Sequence, residues 1–223
     1  MSRPTDPPPT VVEVSIASGG REVRGELRVP EHARGAIAFA HGSGSGRYSP
    51  RNRFVAQEFR RLSLATLLID LLEEDEARDQ DKVFDVGLLA SRLLAAARWL
   101  RAQAFTAALP LGYFGASTGA AAALWAAAES PQIVAAVVSR GGRPDLAAGA
   151  LARVKAPTLL IVGEKDEQVL EWNRDALKRL AGVKELVVIP GATHLFAEAG
   201  ALEEAARHAG RWFTRYLGSE SRE

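Results

Sequence analysis

The chain has 223 residues, 47% of them hydrophobic and 25% charged, with a formal net charge of +1. That length can bury one sizeable core, and so small a net charge supplies no basic field for nucleic acid. The absence of cysteine excludes disulfides, thiolate metal sites and a cysteine nucleophile.

Residues 1–10, with prolines at 4, 7, 8 and 9, read as a disordered tail that lacks the apolar segment of a secretory signal. Residues 11–16 and 22–29 alternate apolar and polar around Ser18-Gly19-Gly20, which predicts an antiparallel hairpin. From residue 36 onward, the apolar runs at 36–40 and 65–69 read as buried strands, and 109–114, 133–138, 157–162 and 184–189 as further strands. Helical patterns lie between and after them, at 52–62, 83–104, 120–128, 146–154, 169–180 and 201–217. The acidic stretch 71–81 reads as a surface loop or short helix. Residues 120–128 are nearly all small, so their helix is expected to pack close against the sheet.

This alternation predicts an α/β protein with a mostly parallel sheet of about eight strands and helices on both faces, antiparallel only at its N-terminal edge. No repeat and no second composition regime divides the chain. Residues 11–217 are therefore expected as one domain and 218–223 as a frayed end. No apolar run reaches the length of a membrane span; with no secretory signal, a cytoplasmic location and no membrane partner are expected.

In such sheets ligands bind at the carboxyl ends of the strands, and four strand ends here carry chemistry. Strand 36–40 runs into His41-Gly42-Ser43-Gly44-Ser45-Gly46. Strand 109–114 runs into Gly115-Ala116-Ser117-Thr118-Gly119, a strand–turn–helix context that places one serine at the apex. Strand 157–162 ends in Gly163-Glu164-Lys165-Asp166, and strand 184–189 in Pro190-Gly191-Ala192-Thr193-His194. A serine hydroxyl is a weak nucleophile and needs an imidazole to take its proton. The imidazole needs a carboxylate to fix its tautomer. Ser117, Asp166 and His194 supply these three groups in that chain order. His32 and His208 read as surface residues, and His41 as scaffolding of the glycine loop.

Across residues 12–217 the sequence resembles the α/β-hydrolase superfamily, and within it the small, lidless dienelactone hydrolase-like group. The resemblance implies Ser117 as nucleophile, His194 as general base and acid, and Asp166 as orienting carboxylate. It implies an oxyanion hole from the backbone N–H of Thr118 and of Ser43 or Gly42. Dienelactone hydrolases proper use a cysteine nucleophile, so the dienelactone substrate does not carry over with the framework. Only about eighteen residues separate strands 133–138 and 157–162, too few for a cap domain.

The expected function is hydrolysis of a carboxylic ester, or a similar acyl bond, of a small substrate through an acyl-enzyme. Acyl transfer with the same triad and a non-catalytic binding role are the alternatives. Arg47, Arg51, Arg53, Arg140 and Arg143 recur at the functional edge. Arg47 and Arg140 are candidates for binding an anionic group of the substrate, and Phe196 for an apolar wall. No metal-ligand cluster or nucleotide-binding loop is present, so no metal and no cofactor is expected.

Overall fold

The computed structural model describes residues 10–218. The expected tail and frayed end therefore lie, but for Thr10 and Gly218, outside the described residues. Strands β1 (Thr10–Ser18) and β2 (Arg21–Val29) form the predicted antiparallel hairpin. The remaining strands are β3 (Gly35–Ala40), β4 (Leu64–Ile69), β5 (Leu111–Ala116), β6 (Val134–Arg140), β7 (Thr158–Gly163) and β8 (Lys184–Ile189). They form one sheet in the order β1-β2-β4-β3-β5-β6-β7-β8. Strands β4 to β8 run parallel, and β2 meets β4 antiparallel. The expected sheet, antiparallel only at one edge, is the one observed.

Side-chain alternation along the strands divides the core. Ala36, Ala38 and Ala40 of β3 turn to one face, where helices α3 (Val86–Ala102) and α4 (Thr118–Glu129) pack. Ile37 and Phe39 turn to the other, against α1 (Pro50–Arg61) and α6 (Ala201–Leu217). There Phe39, Phe59, Phe114 and Phe213 form an aromatic cluster with neighbouring centroids 4.9–5.7 Å apart. Such tilted and edge-on contacts suit the ring quadrupoles. Helix α4 is buried almost all round, as its small side chains predict: Ala120 to Ala123 are fully covered.

Three stretches depart from the sequence reading. The expected helix over 83–104 is broken into α2 (Gln80–Val83) and α3, because Asp85 accepts a hydrogen bond from the Leu88 N–H and starts a new helix. The acidic stretch 71–81 is not all surface. Glu76 is buried and takes a bidentate ion pair from Arg92 at 2.6 and 2.8 Å, which holds its carboxyl well below the usual range. The expected helix over 146–154 is two 3-10 turns, Pro144–Ala147 and Leu151–Arg153. Between β6 and β7 the chain thus carries short turns and no cap. None of the described helices is long and apolar enough to cross a membrane.

The chain enters the sheet interior at β3, steps outward to β4, then crosses back to β5 on β3's other side. The reversal opens a crevice outside the carboxyl ends of β3 and β5. The His41 loop and the Ser117 turn stand on its two sides.

Candidate active site

Ser117 sits between β5 and α4 with φ 52° and ψ −123°. A side chain held in that region is strained by about 1–3 kcal/mol, and the surroundings must enforce it. They do so by close approach. A Cβ on Gly115 would lie 2.4 Å from Ala120 Cα, and one on Gly119 2.2 Å from the Ala40 carbonyl oxygen. The glycines two before and two after the serine thus let the start of α4 press against β5 and the end of β3. The turn is tied down by the Ser117 N–H, which donates to the Arg140 carbonyl, and by the Arg143 N–H, which donates to the Ser117 carbonyl.

The loop after β7 delivers Asp166, which precedes helix α5 (Glu167–Arg179), and the loop after β8 delivers His194. Asp166 Oδ2 accepts a 2.6 Å hydrogen bond from His194 Nδ1. A carboxylate can only accept, so Nδ1 carries the proton and Nε2 is left as the basic nitrogen. The other acids nearby are committed elsewhere. Glu164 accepts from the Gly191 N–H at 2.8 Å, and Glu198 accepts from the Thr193 hydroxyl at 2.7 Å. Ser117 and His194 line one cavity of about 240 Å³ together with Gly42, Ser43, Arg140 and Leu195. Among the described residues no hydrogen bond joins the Ser117 hydroxyl to His194. That contact commonly forms only when substrate closes the geometry.

Thr118 occupies the first position of α4, where its N–H has no acceptor within the helix and the dipole is positive. Gly42 backs onto the nucleophile: a Cβ there would lie 2.9 Å from Ser117 Cβ. Ser43 follows it in the exposed part of the loop, on the cavity wall.

His41 holds that loop in place. Its Nε2 accepts from the Leu71 N–H at 2.8 Å, so Nδ1 is the protonated nitrogen and donates to the Gly42 carbonyl at 2.9 Å. Both bonds require the neutral ring. Burial pushes its pKa down, opposed by the Gly42 bond and the charge of Asp70. The unfolded chain takes this proton near pH 6.5, whereas the folded protein takes it only at lower pH. The unfolded state therefore binds more protons in that window, and this contribution to stability, full above about pH 6.5, is lost as pH falls. The melting temperature is expected to drop from pH 7 to pH 5, with a shallower slope in His41→Gln. An unchanged slope would assign the acid sensitivity to other groups.

The other expected residues divide. Arg140, 8% exposed at the end of β6, lies on the cavity wall. Arg47 does not: its guanidinium and backbone N–H bind Asp70, its other terminal nitrogen donates to Tyr48, and it borders an acidic surface cleft instead. A nearby carboxylate has claimed it. Phe196 is no cavity wall either. It is 2% exposed in the core with φ 55°, and its ring lies under Arg140, whose guanidinium carbon is 5.6 Å from the ring centroid. Arg51 and Asn52 from the first turn of α1 also reach the cavity. The sequence singled out Arg51 only as one of five arginines, and Asn52 carried no signal.

A family model, the dienelactone hydrolase family, matches residues 72–219. A crystal structure of a dienelactone hydrolase from Anabaena variabilis is 55% identical, with a TM-score of 0.91 over 94% of this chain and 99% of that one. An esterase of Pyrococcus furiosus superposes with a TM-score of 0.79 over 94% of each chain. At 18% identity that likeness concerns the fold. A curated protein of Mycobacterium tuberculosis, provisionally named a phosphoribosyl transferase, is 55% identical over 212 residues. The match takes in 95% of this chain and 48% of that protein, so the chain spans about half the length of the curated relatives it matches.

Proposed function

The chain belongs to the dienelactone hydrolase family, and on that premise we propose that it is a serine hydrolase cleaving a small carboxylic ester through an acyl-enzyme. The observation that carries this reading is the Asp166–His194 bond at the mouth of a cavity that Ser117 enters on a strained turn. His194 Nε2 takes the hydroxyl proton as Ser117 Oγ bonds to the acyl carbon. The same proton then passes to the departing alkoxide, and water repeats the sequence to release the acid. The Thr118 N–H and a donor from the Gly42–Ser43 segment hold the charge that develops on the carbonyl oxygen. Asp166 keeps the imidazole in the required tautomer.

The cysteine nucleophile of dienelactone hydrolases proper is replaced by serine, so the substrate follows from this cavity rather than from the family name. The transferase name borne by the mycobacterial relatives belongs, in this reading, to the half of those proteins outside the match. Acyl transfer to an acceptor other than water would use the same three residues.

Labelling of the folded protein with a fluorophosphonate, read by intact mass, tests the reading. One adduct is expected, on Ser117, and none in Ser117→Ala. A folded protein that takes no adduct, or a variant that still takes it, would overturn the assignment.

A further inference from the structure

One wall of the cavity carries charge that ester cleavage does not use. Arg140 is buried at the end of β6, yet its Nε and Nη1 have no hydrogen-bond partner. A buried guanidinium without a counter-charge is unfavourable unless a ligand supplies one. Burial, reinforced by the charge of Arg51, pushes its pKa down to about 10, which still leaves it charged at neutral pH. Rings lie on its flank, Phe196 at 5.6 Å and Phe114 at 6.0 Å.

Arg51 lines the same cavity, and among the described residues no ion pair engages it. Arg140 aside, the other arginines the sequence places on this edge are matched: Arg47 with Asp70, Arg53 with Glu26, Arg143 with Asp145. The acids near the site, Asp166, Glu164 and Glu198, are turned to His194, Gly191 and Thr193. Arg51 also belongs to the first turn of α1, a twelve-residue helix with no acid in that turn. The hydroxyls of Ser43, Ser45 and Ser49 complete the wall.

We propose that this wall is a phosphoryl-binding subsite, and that the substrate is a small phosphorylated ester whose acyl bond is opened at Ser117. The proposal rests on the serine-hydrolase reading. Two guanidinium groups that repel each other across one cavity call for more than a single negative charge. A phosphomonoester brings about −1.5 to −2 and three acceptor oxygens, where a carboxylate brings one charge and two. The start of α1 adds positive potential and the Arg51 N–H, since Pro50 has none and the Asn52 and Arg53 N–H groups are taken by Ser49. Arg140, with two nitrogens unclaimed, can meet two of the oxygens as a fork. The phosphate stays on its own carbon throughout. The bond formed is Ser117 Oγ to the acyl carbon, the bond broken is acyl carbon to alkoxide oxygen, and water restores the serine.

Titration calorimetry with inorganic phosphate at constant ionic strength tests this, with acetate as the carboxylate comparison. Saturable one-to-one binding of phosphate is expected, at least about ten-fold tighter than acetate. Arg140→Met and Arg51→Ala are each expected to weaken it at least about ten-fold, and Arg53→Ala, at a residue paired outside the cavity, to leave it unchanged. Should Arg140→Met fail to fold, Arg51→Ala carries the test, because that residue is only partly buried. No saturable binding, acetate binding as tightly as phosphate, or full binding in the folded arginine variants would overturn the proposal. Phosphate binding without fluorophosphonate labelling would leave the subsite and remove the hydrolase reading. Labelling without phosphate binding would remove the substrate class alone.

Discussion

Gly119→Ala is expected to destabilise the protein by at least about 3 kcal/mol and to abolish ester turnover in whatever fraction folds. The added Cβ would lie 2.2 Å from the Ala40 carbonyl oxygen and 2.4 Å from that of His41. Both are backbone atoms at the end of a buried strand, so neither can swing aside as a side chain would. Overpacking of this kind costs typically about 1–3 kcal/mol, and more where nothing yields. Relief requires α4 to shift by about 1 Å from β3, which is the shift that separates Ser117 and Thr118 from the Gly42 loop. A displacement of that size can cost about 10²-fold in rate by itself. The control is Gly149→Ala. Gly149 is exposed, with nothing within 4 Å of an added Cβ, so the change should be neutral or stabilise by about 0.4–1 kcal/mol through the unfolded chain. Urea midpoints of the two variants make the measurement. Equal midpoints would show that the helix start is not pinned against β3.

The steric logic behind that expectation was legible in the sequence, because it depends on spacing along one segment. Gly115 and Gly119 flank Ser117 wherever the rest of the chain goes. The same holds for the strands. A parallel strand buried on both faces must be an apolar run, and five such runs located β3 to β7 to within about two residues. The order of chemistry at the strand ends followed too, since β5, β7 and β8 run parallel and open on one edge.

What the sequence left open depends on partners brought together by the fold. Arg47 and Arg140 looked alike as arginines after strands. Asp70 at the end of β4 captures the first, and nothing captures the second. Glu76 sits in a run of acids that reads as a solvated surface, and only the arrival of Arg92 from α3 draws it inside. Asn52 reached the cavity because Ser49 and Pro50 start α1 two residues earlier than the apolar periodicity indicates. In each case the deciding neighbour lies more than fifteen residues away or in a capping residue, where periodicity carries no information.

Asp166→Asn is expected to lower the turnover of an activated ester by about 10⁴-fold while leaving the fold and the labelled position unchanged. The substitution keeps shape and volume, and Asp166 sits in a loop before α5 rather than in the core, so a stability loss beyond about 1 kcal/mol is not expected. What changes is the hydrogen bond to His194 Nδ1, now 2.6 Å. An amide in place of the carboxylate can donate to that nitrogen, which puts the ring proton on Nε2, the atom that must accept from Ser117. It also removes the negative charge that stabilises the imidazolium formed during the reaction. Glu164 stands two residues away and could be thought to substitute. Its carboxylate is held by the Gly191 N–H and shapes the loop that carries His194, so Glu164→Gln should cost far less in rate. The pair of variants therefore separates the acid that orients the base from the acid that positions its loop. Steady-state turnover of p-nitrophenyl acetate decides between them. Activity in Asp166→Asn within ten-fold of the wild type would remove Asp166 from the relay. A loss in Glu164→Gln as deep as that in Asp166→Asn would mean that the loop, rather than the tautomer, limits the reaction.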